Sequence, residues 1–148
     1  MGEPNPSPTE HPEVPNLVDD DEVWRRIPPE KIIFDSTRNV FRPSKDSFND
    51  HPNKTPMSAF LAKECQDPNL ALEGNAGFAL VAIKVDTIHR CKQLILPAHA
   101  EGLPPGHVHI AGSKTDSTRK TFAKECRWVV EPSEEIKTRA KNRALGVG

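Results

Sequence analysis

Apolar positions in this chain come in short runs, separated by polar stretches rich in proline, and their period changes along its length. Residues 1–22 are polar, rich in Pro, Glu and Asn, and close on Asp19, Asp20, Asp21 and Glu22. Such composition buries too little apolar surface to offset ordering entropy, so it reads as a disordered or loosely docked acidic arm. Val23-Trp24-Arg25-Arg26-Ile27 opens the folded part, and Pro28-Pro29 forces a turn. Lys31-Ile32-Ile33-Phe34 predicts a short strand, and Pro43 stands ahead of one helical turn over 44–48. Thr55-Pro56 has the cap-and-start chemistry of a helix. With Met57, Phe60, Leu61 and Glu64 at i, i+3, i+4 and i+7, that start predicts a helix to about Cys65. Residues 77–85 are apolar almost throughout and predict a central, buried strand. Leu94–Leu96 and His107–Ala111 predict two more. A second helix is expected from Asp116 or Ser117 to about Val130, its apolar face made of Phe122, Ala123, Cys126, Val129 and Val130. The tail from Glu131 is polar, with its acids ahead of its bases as a helix dipole favours, and is expected to fray.

The resulting expectation is an α+β fold: a small mixed sheet with two main helices in one domain over 23–130, an arm over 1–22 and a polar, basic tail over 131–148. Composition narrows this further. Of 148 residues 35% are apolar, below the usual ~45–50%, which allows a modest core and argues against a large internal cavity. A net charge of -1 makes the whole chain neither a general polyanion binder nor an acidic tail protein. No apolar run approaches the ~20 residues that cross a bilayer, and residues 1–8 lack the basic and apolar regions of a signal peptide. Cys65, Cys91 and Cys126 form no disulfide framework, so free thiols in a reducing cytoplasm are expected.

Candidate chemistry centres on 97–115, which holds His99, His107 and His109 between Gly106 and Gly112. On a strand His107 and His109 share one face, and His107 is the best candidate for a general acid or base. With His89, Cys91 and His99 the pair offers nitrogen and sulfur ligands for zinc, but the spacings match no zinc signature. The preferred reading holds one histidine inward and hydrogen-bonded, with no metal. Arg42 and Ser44, with Arg25 and Arg26, supply guanidinium forks and a hydroxyl before a short helix, chemistry suited to a phosphate or carboxylate; pairing with Asp19–Glu22 competes with that use. Gly112-Ser113-Lys114-Thr115 ends like a phosphate loop, but His109 stands where the earlier glycine is required, so Lys114 is expected to make only a loose phosphate contact. Lys120, Lys124 and Arg127, at i, i+4 and i+7, form a basic helical stripe open to nucleic acid or an acidic protein.

Trp24–Pro29, Arg42-Pro43-Ser44-x-x-x-Phe48, Pro56-Met57-Ser58-x-x-Leu61, Gly77–Leu80 and Pro105-x-His107-x-x-Ile110-x-Gly112-x-Lys114-Thr115 together resemble a family of small bacterial proteins, over most of 23–130. That resemblance implies a bacterial source and no particular activity, and of the two histidines only His107 matches its pattern. A more distant similarity is to RES-type ADP-ribosyltransferase-like toxins. It implies NAD consumption, with Arg26, Glu64 and Ser44 or Ser58 in the roles of that family's Arg, Glu and Ser. The sequence therefore yields three functional expectations. The first is a polar site in which Arg42, Ser44 and Lys114, with Arg26, hold an anionic, phosphate- or nucleotide-like ligand while His107 moves a proton. The second is a non-catalytic adaptor, joining a protein or nucleic-acid partner through the acidic arm and basic helix. The third is NAD turnover.

Overall fold

The computed structural model describes residues 12–98 and 102–146. Its strands are β1 (Glu22–Ile27), β2 (Ile32–Asp35), β3 (Val40–Pro43), β4 (Met57–Leu61), β5 (Ala79–Lys84), β6 (Leu94–Pro97), β7 (His107–Ala111) and β8 (Arg127–Val130). Its α-helices are α1 (Ala62–Cys65), α2 (Pro68–Ala71), α3 (Val85–Arg90), α4 (Asp116–Glu125) and α5 (Glu134–Leu145), with 3-10 turns at Pro29–Lys31 and Lys45–Phe48. Six strands make one sheet in the order β6-β7-β4-β1-β5-β8, and β2 and β3 form a separate hairpin. Every ladder is antiparallel. The architecture is α+β, with two long helices.

Strand alternation divides the interior into two layers. Val23, Ile27, Met57, Ala59, Leu61, Val81, Ile83, Val108 and Ile110 meet Phe48, Phe122, Ile32 and Ile136 in the main core. Phe48 and Phe122 pack edge-to-face there, ring centroids 5.8 Å apart. On the opposite face Trp24, Phe60, Leu80 and Ala82 pack with Cys65 and Ala71 in a smaller core. β5 contributes to both layers, as its continuous apolar run predicts.

Three expectations are corrected. Residues 57–61 are strand, because Met57, Ala59 and Leu61 also fit a period of two and pair between β1 and β7; only 62–65 are helical. The helix expected from 116 to 130 stops at Glu125, and Arg127–Val130 leaves it to pair along β5. Arg127 therefore does not belong to the stripe of Lys120 and Lys124. The tail does not fray: Ser133 caps α5 through Ile136 N–H, and Ile136 and Ala140 are buried. Lys141 lies over the Phe34 ring at 5.3 Å and Lys137 over Phe41 at 5.7 Å, while Arg143 donates to Ile32 O at 2.9 Å. Cationic heads on aromatic faces substitute for the apolar surface this helix lacks.

Residues 1–11 of the expected arm lie outside the described residues, and 12–22 are docked. Val14 N–H donates to Ile95 O, and the Glu13 carboxylate accepts from Ile95 N–H and meets His89 Nε2 at 2.7 Å. This contact occupies the outer edge of β6, the kind of unpaired edge that invites association.

Candidate anion-binding cleft

The β2–β3 hairpin and α4 stand side by side over the main core, with a cleft of about 450 Å3 between them. The hairpin brings Asp35, Arg38 and Arg42 to it, the following turn brings Ser44 and Lys45, and α4 brings Lys120 and Lys124 over a floor of Ile33 and Ala123. Local chemistry explains each placement. Asp35 accepts from the backbone N–H groups of Thr37 and Arg38, closing the hairpin turn. Ser44 caps the 3-10 turn by accepting from Asp46 N–H at 3.2 Å, and Thr115 caps α4 by accepting from Thr118 N–H at 3.1 Å.

The cleft is electropositive. Arg42 Nε donates to Asp35 at 3.3 Å. Lys45 and Lys120 share Asp116, whose carboxyl those two ammonium groups, Lys45 first, pull down to about 2. The Arg38 N–H, with Arg42 adding to it, holds the Asp35 carboxyl below its ordinary value. Arg38 and Lys124 have no carboxylate partner within ion-pair distance among the described residues. Arg38, Arg42, Lys45, Lys120 and Lys124 thus outnumber Asp35 and Asp116 around a single concavity.

The remaining expected site residues lie elsewhere. His107 lines a different cavity, of about 610 Å3, with Glu64, Gly106 and the 103–105 loop. Arg26 lies over the Phe60 ring at 5.1 Å, and Phe60 neighbours His107 at 5.6 Å between centroids. His109 packs edge-on to His107 at 5.4 Å and pairs across the ladder with Ser58. Ser58 Oγ is 3.4 Å from His51 Nε2. Burial, with His51 adding to it, holds the His109 imidazole below its ordinary value. Arg26 and His107 therefore both lie against Phe60 on the smaller-core face, while Arg42 and Ser44 line the cleft.

Lys114 belongs to neither place. Its side chain is 4% exposed and its ammonium is 3.0 Å from Asp50, with further hydrogen bonds to Ile110 O at 2.6 Å and Gly112 O at 3.3 Å. It is a buried strut, and the phosphate contact expected of it is not available. Among the described residues Arg25 and Arg26 form no ion pair with Asp19–Glu22. Arg25 donates to Ser47 O and Ser58 O, and burial brings its guanidinium down to about 10. Arm acids instead meet cations within the domain: Asp21 with Lys63, Asp20 with Lys84, and Glu22 with Arg127.

No three His, Cys, Asp or Glu side chains come together to hold a metal among the described residues, and His99 falls outside them. Cys65, Cys91 and Cys126 are free. Among the described residues no helix is long and apolar enough to cross a membrane. Sequence reasoning missed Arg38 and Lys45; an Asp-x-x-Arg turn between two predicted apolar segments was the available signal for Arg38. No family model matches this chain, and comparison with curated proteins and with solved structures gives no match.

Proposed function

We propose that this protein binds a phosphate-bearing anion in the cleft between the β2–β3 hairpin and α4. The observation that carries the reading is the gathering of Arg38, Arg42, Lys45, Lys120 and Lys124 around one cavity whose lining carboxylate is Asp35. Guanidinium groups present paired donors that match phosphate oxygens, and lysines add point charge. Ser44 adds a hydroxyl at the same wall. Among the described residues that line the cleft none is a histidine, cysteine or glutamate, so the reading is of binding and not of proton transfer; His107 lines the other cavity. A cytoplasmic setting goes with it, supported by three free thiols.

The test is calorimetric titration of the full chain with pyrophosphate in a phosphate-free buffer at low salt. Saturable one-site binding is expected, weakened at least tenfold in Arg38→Glu/Lys124→Glu, two exposed positions whose reversal leaves the core untouched. Equal affinity in wild type and the double variant would refute the assignment.

A further inference from the structure

Two further hollows adjoin the cleft. On the outer side of α4 lies one of about 480 Å3 bounded by Asp116, Ser117, Lys120, Thr121 and Lys124. Toward β8 lies a smaller one of about 200 Å3 bounded by Arg38, Arg42, Phe41, Lys124 and Trp128. Lys120 and Lys124 line both the cleft and the first hollow; Arg38, Arg42 and Lys124 line both the cleft and the second. The shared side chains place the three spaces side by side as a basic surface groove.

Two features of the groove narrow the ligand class. Its cations are spread along it: Lys120 and Lys124 stand about 6 Å apart along the α4 axis, and Arg38 follows on the hairpin. The cleft itself gathers donors for one phosphate, and the row of cations beyond it matches a row of charges. The β8 end is aromatic. Trp128 Nε1 donates to Phe41 O at 3.3 Å, which satisfies the polar edge of the indole within the protein and leaves a half-buried apolar ring at the wall. A basic track ending on aromatic rings is how proteins hold single strands, with phosphates on the cations and a base stacked on a ring. A duplex keeps its bases inside and gives the rings nothing to stack. An acidic peptide matches the charge but supplies no regular planar group.

We propose that the groove binds a single strand of RNA or DNA, its phosphates along Lys120, Lys124 and Arg38 and one base against Trp128. This rests on the anion-binding reading of the cleft and adds the ligand's class and polarity of contacts.

Fluorescence anisotropy of the full chain with a labelled uridine 12-mer and a thymidine 12-mer, over a salt series, tests it. Binding that falls steeply with salt is expected, with quenching of tryptophan emission. Trp128→Leu should weaken the oligonucleotide roughly tenfold, the scale of one lost stack, while leaving pyrophosphate affinity unchanged. Trp128→Met, closer to the indole in volume, serves the same purpose if Trp128→Leu does not fold. Pyrophosphate binding without oligonucleotide binding overturns this proposal and leaves the cleft reading standing. Equal binding of duplex or of polyglutamate also overturns it, marking a generic polyanion surface. Loss of both ligands' binding sinks the two together.

Discussion

Replacing Asp50 by Asn isolates one buried charge. Asp50 Oδ1 accepts from Met57 N–H at 3.0 Å and lies 3.0 Å from Lys114 Nζ. Asparagine keeps an oxygen for both contacts and removes the negative charge, leaving Lys114 and the neighbouring buried Arg25 without their counter-ion. Breaking a buried pair from one side costs roughly 3–5 kcal/mol. Lys114 is 4% exposed but Asp50 is 35% exposed, so solvent screens part of the attraction, and the retained acceptor recovers more. The expected loss is about 2 kcal/mol, or roughly 4–8 °C in Tm for a domain of this size. Urea unfolding of wild type, Asp50→Asn, Lys114→Met and the double variant provides a cycle. The double variant should be more stable than the sum of the single losses by about 1 kcal/mol or more.

The sign of the pH dependence is a second check on the same pair. Burial lowers the folded-state value of Lys114, and Asp50 partly raises it again. Removing Asp50 lowers it further, so just below 10.5 the unfolded chain binds more protons than the folded one. Stability then rises with pH in that window, and the deficit of Asp50→Asn should shrink as pH rises toward 10.5. Additive single losses, or a deficit independent of pH, would refute the buried-pair argument.

Three further outcomes follow from particular contacts. Gly106 has φ +88°, and a Cβ there would sit 2.8 Å from Leu61 O and 3.1 Å from Cys65 N; Gly106→Ala should cost about 2 kcal/mol in urea unfolding and disturb the backbone amide shifts of 61–65. Thr115→Ala removes the α4 cap and should cost about 1 kcal/mol, with faster amide exchange confined to the first turn of that helix. His109 should titrate below 6.5 by NMR, because burial opposes its charge and His51 adds to this. The unfolded imidazole protonates first as pH falls, so this group's contribution to stability declines below about pH 6.5; His51→Asn should raise the midpoint, and an unchanged midpoint would remove His51 as a cause.

Where local pattern and burial agreed, the sequence was sufficient. β5 is apolar on both faces, and a strand covered on both sides allows little else. β7 begins and ends where its alternating residues do, and Pro43-Ser44 announces the 3-10 turn through fixed φ and a capping hydroxyl. The α+β class follows from these segments. Residues 57–61 and 127–130 were not decidable locally, since apolar positions in so short a segment fit both helix and strand periods. Vacant ladder positions beside β1, β7 and β5 decided them, through backbone hydrogen bonds no local window contains. α5 was hidden for the opposite reason: its stabilising contacts are lysines over Phe34 and Phe41, which read as polar positions in the chain. The candidate residues divided in the same way. Sequence reasoning selected Arg42, Ser44, Lys120 and Lys124 one by one and grouped the first two with His107 and Lys114. Only the packing of the hairpin against α4 put Arg42 and Ser44 beside Lys120 and Lys124, turned Lys114 into the interior, and left His107 with Arg26 on the other sheet face. Residue type sets what a side chain can do chemically; which side chains act together depends on contacts between segments far apart in the chain.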